Sequence, residues 1–174
     1  MTTGAQTPEA LDRIWAVLGR CDADMFADAS NARCEVFISR WVCKGSAGID
    51  AIITAWPPGR LYACPPIVLL PRLFARLLCG TLCQQLVIIV PVWPAQAWWP
   101  VLRPDGVHSR SEVEAVVKLS KLDFTHAPEC NPAFLVMPSW KFDAIALLWS
   151  PGRVGGPAFC LKASRGRFCA VCNP

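Results

Sequence analysis

Apolar residues recur at helical spacing in two segments of the chain. The first stripe consists of Leu11, Ile14, Trp15 and Leu18. Thr7 fits an N-cap, Pro8 fits the first helical position, and Gly19 is a natural stop after the last apolar residue. The pattern therefore predicts a helix over residues 8–18.

The second helical stripe lies between two segments that read as strands. It consists of Leu70, Leu73, Phe74, Leu77, Leu78 and Leu82. With Arg72 and Arg76 outside it, the stripe predicts a helix over residues 69–82. Before it, residues 61–66 (LYACPP) predict a short strand closed by two prolines, and after it the apolar run 86–90 is typical of a strand covered on both faces. The succession of strand, helix and buried strand predicts a parallel α/β sheet with a right-handed crossover.

Weaker signals stand before and after this unit. Residues 22–27 and 34–39 are short, partly apolar segments that predict strands, and a Gly- and Ser-containing connection leads to a third apolar segment, 49–53. We expect a sheet of about five strands.

Beyond residue 104 the chain becomes polar. A short helix is predicted at 111–119, and two apolar runs within 134–149, FLVMP and FDAIALLW, predict late strands. Past residue 150 the Gly, Pro, Arg and Cys content predicts a loose tail. The expected organisation is an N-terminal helix (1–20), an α/β core (21–104) and an irregular C-terminal extension (105–174).

Composition predicts a packed domain and no membrane span. Apolar residues make up 53% of the chain and charged residues 17%, against a typical charged share of roughly a quarter. The two most apolar stretches, 67–79 and 86–102, are interrupted by prolines and polar residues, whereas a spanning helix needs about 20 apolar residues. The N-terminus lacks the basic and apolar segments of a secretory signal, so we expect a cytoplasmic or nuclear protein.

Cysteines and basic residues near the C-terminus leave two alternatives open. Cys169 and Cys172 have zinc-ligand spacing, with Cys160 upstream, but a zinc site needs about four ligands, so we favour ordinary reduced thiols and expect no metal. The net charge is +4, and a Gly- and Arg-rich tail could contact phosphate or simply be solvated. The tail's cations are Arg153, Lys162, Arg165 and Arg167.

Four motifs follow one another in a recognisable order. They read DMFADASNARC (24–34), IDAIITAW (49–56), LYACPP (61–66) and IVPVWPAQAWWPVL (89–102). The set resembles the phage-type Dam family of DNA adenine methyltransferases. It resembles still more closely the Dam-like segment that follows the ribonuclease H domain of DIRS-type retrotransposon polyproteins. The match covers roughly residues 7–104.

The resemblance implies a three-layer, Rossmann-like methyltransferase fold, with S-adenosylmethionine as cofactor and DNA as partner. Such folds bind their cofactor at the carboxyl ends of parallel strands. The resemblance assigns this role to Asp24 and its loop residues Ala27, Ser30 and Asn31, with Asp50 as a second polar contact. The alternative is that the two aspartates only cap turns or helices.

The motif for catalysis is altered in this chain. The family's pattern is [DN]-P-P-[YF], in which a polar side chain receives the adenine amine and an aromatic ring stacks on the flipped base. The corresponding residues are Cys64, Pro65, Pro66 and Ile67. Cysteine is a weak hydrogen-bond partner and isoleucine has no π-face, so we expect weak or absent methyl transfer and a cofactor site that is either retained or lost.

Trp93, Trp98 and Trp99 follow the buried strand among several prolines. They could form a base-stacking platform for nucleic acid, or lie in the core, but we favour an interface toward other domains of a retroelement polyprotein. Three functions remain open at this point: a degenerate, retroelement-derived methyltransferase-like domain, a noncatalytic nucleic-acid or protein interaction module, and an active adenine methyltransferase.

Overall fold

The computed structural model describes residues 5–79, 85–125 and 142–151. The strands are β1 (Ala5–Gln6), β2 (Ala23–Asp24), β3 (Val36–Ser39), β4 (Gly48–Ile49), β5 (Leu61–Ala63), β6 (Leu86–Pro91), β7 (Val113–Leu119), β8 (Phe124–Thr125) and β9 (Ala144–Trp149). The helices are α1 (Pro8–Leu18), α2 (Leu70–Leu78) and α3 (Trp99–Leu102), with 3-10 turns at Ile67–Leu69 and Lys121–Asp123.

Seven strands form one mixed, mostly parallel sheet in the order β4-β3-β2-β5-β6-β9-β7. The pairs among β4, β3, β2, β5 and β6 are all parallel. Only β9 runs against its neighbours, because it pairs antiparallel with both β6 and β7. The α/β prediction is confirmed, and the sheet has two strands more than the five expected.

The central strands place alternate residues on opposite faces of the sheet. On one face, Leu61 and Ile88 join a core cluster with residues of α2 and α3. On the other face, Tyr62 and Val87 pack with α1. Every residue of β6 is buried, as predicted for a strand covered on both sides. The described elements thus form three layers, with the sheet between α1 and the pair α2 and α3.

The first helix begins and ends where its sequence predicts. Thr7 accepts a hydrogen bond from the Ala10 N–H at 3.2 Å, Pro8 is the first helical residue, and Gly19 at φ 81° follows the last turn. A residue with a side chain rarely adopts that φ, which explains the glycine. For α2, the predicted start is close to the observed one, whereas residues 80–82 of the prediction lie outside the described residues.

The predicted helix at 111–119 is wrong, because the segment forms strand β7. Its residues alternate between half-buried and exposed positions, which is the period of a strand. The strand is completed by pairing with β9, from Val113 opposite Trp149 to Leu119 opposite Ala144. The glutamates and lysine suited a helix locally, but this non-local ladder decided the structure.

The late strand predicted from FDAIALLW is confirmed as β9, whereas FLVMP and the tail past residue 151 lie outside the described residues. Through β7 and β9, part of the expected C-terminal extension belongs to the same sheet as residues 21–104. Within the described ranges, no helix combines the length and apolarity that crossing a bilayer requires.

Candidate functional site

Two loops that the sequence singled out leave the sheet at the same edge. Strands β2 and β5 are parallel neighbours, with Ala23 opposite Leu61 and Asp24 opposite Tyr62. The loop 24–33 and the turn 64–67 therefore begin side by side, at the carboxyl ends of adjacent strands. The chain proceeds from β2 toward β4 on one side and from β5 toward β6 on the other. Open α/β sheets bind ligands outside such a reversal of strand order. We call these two loops the switch-point rim.

Asp24 places a carboxylate inside this rim. The residue is 3% exposed, and its oxygens accept hydrogen bonds from the N–H groups of Phe26 and Arg33, each at 3.1 Å. Among the described residues, no cation forms an ion pair with it. Burial raises the pKa of Asp24 to about 6, against the lowering effect of the two N–H groups and of the Arg33 charge. Buried carboxylates with a raised pKa are frequent at functional sites.

The other predicted residues of this loop fix its shape. Ala27 donates its N–H to Ile38 at 3.2 Å and so continues the contact between β2 and β3. Ser30 donates to the Asp28 carboxylate from its hydroxyl at 2.6 Å and from its N–H at 2.8 Å, and Asn31 accepts the Asp28 N–H at 2.8 Å. The hydroxyl contact from Ser30 lowers the pKa of Asp28. The side chains of Ser30 and Asn31 thus bind within the loop.

Asp50 lies at the same edge but two strands away from β2, which is roughly 10 Å at ordinary strand spacing. Its carboxylate accepts the Ile52 N–H at 2.9 Å, and its own N–H donates to Ser39 at 2.8 Å. The residue has a positive φ of 55°, which aspartate tolerates better than most residues. The capping alternative thus has an observed partner at both aspartates, the Phe26 N–H at Asp24 and the Ile52 N–H at Asp50. The structure does not bring Asp50 to the Asp24 loop.

The tryptophan of the second motif belongs to a clamp that includes a residue from α2. Trp56 donates from its indole nitrogen to the Ala51 carbonyl at 2.7 Å. The Arg76 guanidinium donates to the carbonyls of Ala51, Ile52 and Thr54 at 2.7 to 2.9 Å. It also lies over the Trp56 ring, 4.7 Å from the centroid. Burial lowers the pKa of Arg76, and the charge of Asp50 opposes that effect. Arg76 was predicted only as a residue outside the apolar stripe.

Gln6 connects the altered catalytic turn to the Asp24 loop. It is 2% exposed, and its amide nitrogen donates to the Cys64 sulfur at 3.3 Å while its amide oxygen accepts from the Tyr62 hydroxyl. Its backbone carbonyl accepts from the Arg33 guanidinium at 2.9 Å. The strand that carries Gln6, β1, is held by antiparallel pairing with β8. No sequence signal singles out this glutamine, since its partners lie far along the chain.

The remaining turn residues contribute packing. Pro65 is buried, and Ile67 begins the 3-10 turn that leads into α2. The Ile67 side chain is partly buried against the core cluster below α2. The turn thus keeps the two prolines that shape it and presents a thiol and an aliphatic side chain in the positions of the motif's polar and aromatic residues.

The three tryptophans after β6 differ in exposure. Trp98 and Trp99 are 4% and 7% exposed, and Trp98 stacks on Phe74 with ring centroids 5.7 Å apart. Trp93 is half-buried and contacts Phe142 edge-on, with ring centroids 4.6 Å apart. Base stacking by Trp98 or Trp99 would require the ring to leave the core, so a stacking role stays a prediction for Trp93 alone.

Two thiols next to β2, Cys21 and Cys34, are poorly suited to nucleophilic or metal chemistry. Burial raises the pKa of Cys34 to about 12 and raises the pKa of Cys21 further. In the described ranges, no group of three or more His, Cys, Asp or Glu residues could hold a metal ion. The Cys160, Cys169 and Cys172 set and the basic tail lie outside those ranges.

No protein-family model matches the sequence, and a search of curated proteins finds no significant relative. The family resemblance therefore depends on the four ordered motifs, and the functional argument depends on the side chains of the switch-point rim.

Replacing Arg76 should test the clamp. Arg76→Met keeps most of the side-chain length and removes every donor, so we expect a loss of about 2 kcal/mol in the free energy of unfolding, because hydrogen bonds from a charged group are lost at a partly buried turn. Arg72→Met, at an exposed position of the same helix, should change stability by less than about 0.5 kcal/mol. Urea denaturation measures both, and equal losses would contradict the clamp.

The raised pKa of Asp24 predicts the sign of a pH effect on stability. Its ordinary value is 3.8 and its folded value about 6, so the folded state binds the proton more tightly and loses stability as pH rises through this window. The charged form costs about 3 kcal/mol at pH 7. The free energy of unfolding of Asp24→Asn, taken relative to that of the wild type, should therefore increase as pH rises from 4 to 7.

Asp28→Asn is the matched control on the same loop. The pKa of Asp28 is lowered, so its carboxylate stabilises the fold at high pH and this contribution falls as pH drops. Because this fall occurs at and below pH 3.8, the stability of Asp28→Asn relative to wild type should stay constant between pH 4 and pH 7 and should increase only as pH falls below about 4. Urea unfolding at several pH values measures the stability of both variants relative to wild type. If the two relative stabilities change with pH in the same way, the raised pKa assigned to Asp24 is refuted.

Proposed function

We propose that this chain is a methyltransferase-like domain that binds S-adenosylmethionine at the switch-point rim and has lost most or all adenine methyl transfer. One observation carries the proposal. The Asp24 loop and the Cys64-Pro65-Pro66 turn, which match two motifs of the family, end adjacent parallel strands at the reversal of strand order.

The strand order supports the same proposal. Counted along the chain, the strands of the large sheet are β2, β3, β4, β5, β6, β7 and β9, and their spatial order becomes 3-2-1-4-5-7-6. The first five positions follow the order of dinucleotide-binding sheets. An antiparallel last strand inserted between the fifth and sixth is the arrangement expected of the Rossmann-like methyltransferase fold that the motifs imply.

Asp24 fits the cationic end of this cofactor. S-adenosylmethionine supplies an activated methyl group when bound, and its methionyl end carries an ammonium. A buried carboxylate that has no ion pair among the described residues would gain a compensating charge from such a group. We assign to Asp24 the binding of that ammonium, and to Ala27, Ser30 and Asn31 the shape of the loop around it.

The acceptor side of the rim does not suit adenine. Cys64 is 9% exposed and its sulfur accepts a hydrogen bond from Gln6, so it is a poor receiver for an exocyclic amine. Ile67 gives no ring for base stacking. A positioned polar group is worth about 3 kcal/mol in a transition state, and stacking about 1–3 kcal/mol, so their joint loss would lower a methylation rate by several orders of magnitude.

The same motif set supports a retroelement origin, which we include in the proposal. The DIRS-type segment matches over roughly residues 7–104, and it implies element DNA and neighbouring polyprotein domains as partners, in the cytoplasm or nucleus. On this proposal the fold and the cofactor site persist while the transfer chemistry has decayed.

Calorimetric titration with S-adenosylmethionine tests the cofactor site. We expect saturable binding by the wild-type chain and at least a tenfold weaker affinity for Asp24→Ala, because the ammonium loses its partner. Asp22→Asn is the control, since Asp22 precedes the same strand and its carboxylate accepts the Arg60 N–H at the opposite edge of the sheet. No heat of binding at millimolar cofactor would rule out the proposal, as would equal weakening by both variants.

Restoring the motif tests whether Cys64 and Ile67 account for the loss of methyl transfer. We expect no transfer of labelled methyl groups to adenine-containing DNA by the wild type and measurable transfer by the double variant Cys64→Asn with Ile67→Tyr, which returns the polar and aromatic groups. Circular dichroism and cofactor titration verify that the variant folds and binds. A folded, cofactor-binding double variant without activity would place the defect elsewhere, and an active wild type would show that the altered motif suffices.

A further inference from the structure

An exposed tryptophan lies on the loop between β3 and β4, residues 40–47. Trp41 is 69% exposed and its neighbour Val42 is 89% exposed. A tryptophan rarely presents so much surface, because burying an aromatic ring is strongly favourable. Since β3 is parallel to β2, this loop leaves the sheet at the same edge as the switch-point rim.

The base of the loop is closed by hydrogen bonds. The Ser39 hydroxyl donates to the Trp41 carbonyl, and the Ser46 hydroxyl donates to the Gly48 carbonyl at 2.5 Å. The Ser46 N–H donates to the Cys43 carbonyl at 3.1 Å. The exposed ring is thus held on a fixed support, and binding through it requires little ordering of the backbone.

The loop carries two cations and no acid. The Arg40 guanidinium lies over the Trp41 ring with its central carbon 4.8 Å from the centroid, and Lys44 follows three residues after the ring. Both cations are exposed. An exposed aromatic ring with positive charges on the same loop is the combination that single-stranded nucleic acids bind, through stacked bases and neutralised phosphates.

We propose that the loop 40–44 is a binding site for single-stranded nucleic acid, with a base stacked on Trp41 and phosphates bound by Arg40 and Lys44. A lipid surface fits less well, because the guanidinium over the ring would have to be desolvated or displaced when the ring enters an apolar layer. A duplex fits less well, because its bases are already stacked and their faces are not accessible. The site differs from the one predicted at Trp93, Trp98 and Trp99 and does not depend on cofactor binding.

Fluorescence anisotropy with a labelled 20-nucleotide oligothymidine tests the site in the full chain. We expect Trp41→Ala to weaken binding by about tenfold, as for loss of one stacked base, and Trp41→Phe to retain most of the affinity. Leu122→Ala, which changes an apolar side chain that is 80% exposed on a distant turn, is the matched control and should bind as the wild type does.

Salt titration separates the charges from the ring. Arg40→Ala should reduce the slope of log affinity against log salt by about 0.7, the value for one phosphate contact on a single strand. Trp41→Ala should leave that slope unchanged. The proposal is overturned if the wild type does not bind at low salt, if Trp41→Ala binds as tightly as wild type, if a duplex of equal length binds more tightly, or if phosphatidylserine vesicles bind through Trp41 and the oligonucleotide does not.

Discussion

The parallel pairing of β2 with β5 is the constraint on which the rest of the molecule depends. β2 has only two residues, yet it joins β3 and β4 to the half of the sheet that contains β5, β6, β7 and β9. Because two strands in the same direction end at the same edge, the pairing brings the loop after Asp24 beside the turn after Ala63. Gln6 then links the two, through its side chain to Cys64 and through its carbonyl to Arg33.

Stability and the proposed ligand site have opposite requirements at this edge. A carboxylate held at 3% exposure reduces the stability of the fold at neutral pH, and an apolar residue would remove that cost. Burial of apolar residues in the sheet and its two core clusters offsets this cost, because the strands β5, β6 and β9 are almost wholly buried. A costly polar group at the reversal of strand order is expected of a ligand site. By contrast, Arg76 and Trp56 stabilise a turn, so the second motif has a structural explanation that needs no ligand.

The tryptophans in this part of the molecule divide into two groups, those buried in the core and one exposed on a loop. Trp98 and Trp56 lie in the core and fix helices and turns through ring contacts and one indole hydrogen bond. Trp41 projects from a closed loop with a guanidinium over one face. The switch-point rim and the exposed ring lie at one edge of one sheet, which is where a nucleic-acid strand could contact both. Loss of transfer chemistry at Cys64 would leave such a binding surface intact.

Local sequence determined the first helix, the strand–helix–strand unit around α2 and the buried strand β6. Capping residues, apolar period and the parallel strand–helix–strand order are sufficient for these, since each depends on near neighbours. Only the tertiary structure decided that residues 113–119 form a strand, because the ladder to β9 outweighs local helix preference. It also decided that Gln6 links the two loops of the switch-point rim, that Arg76 binds the turn after β4, and that Trp41 is exposed. These outcomes depend on contacts, or on their absence, between residues far apart in the chain.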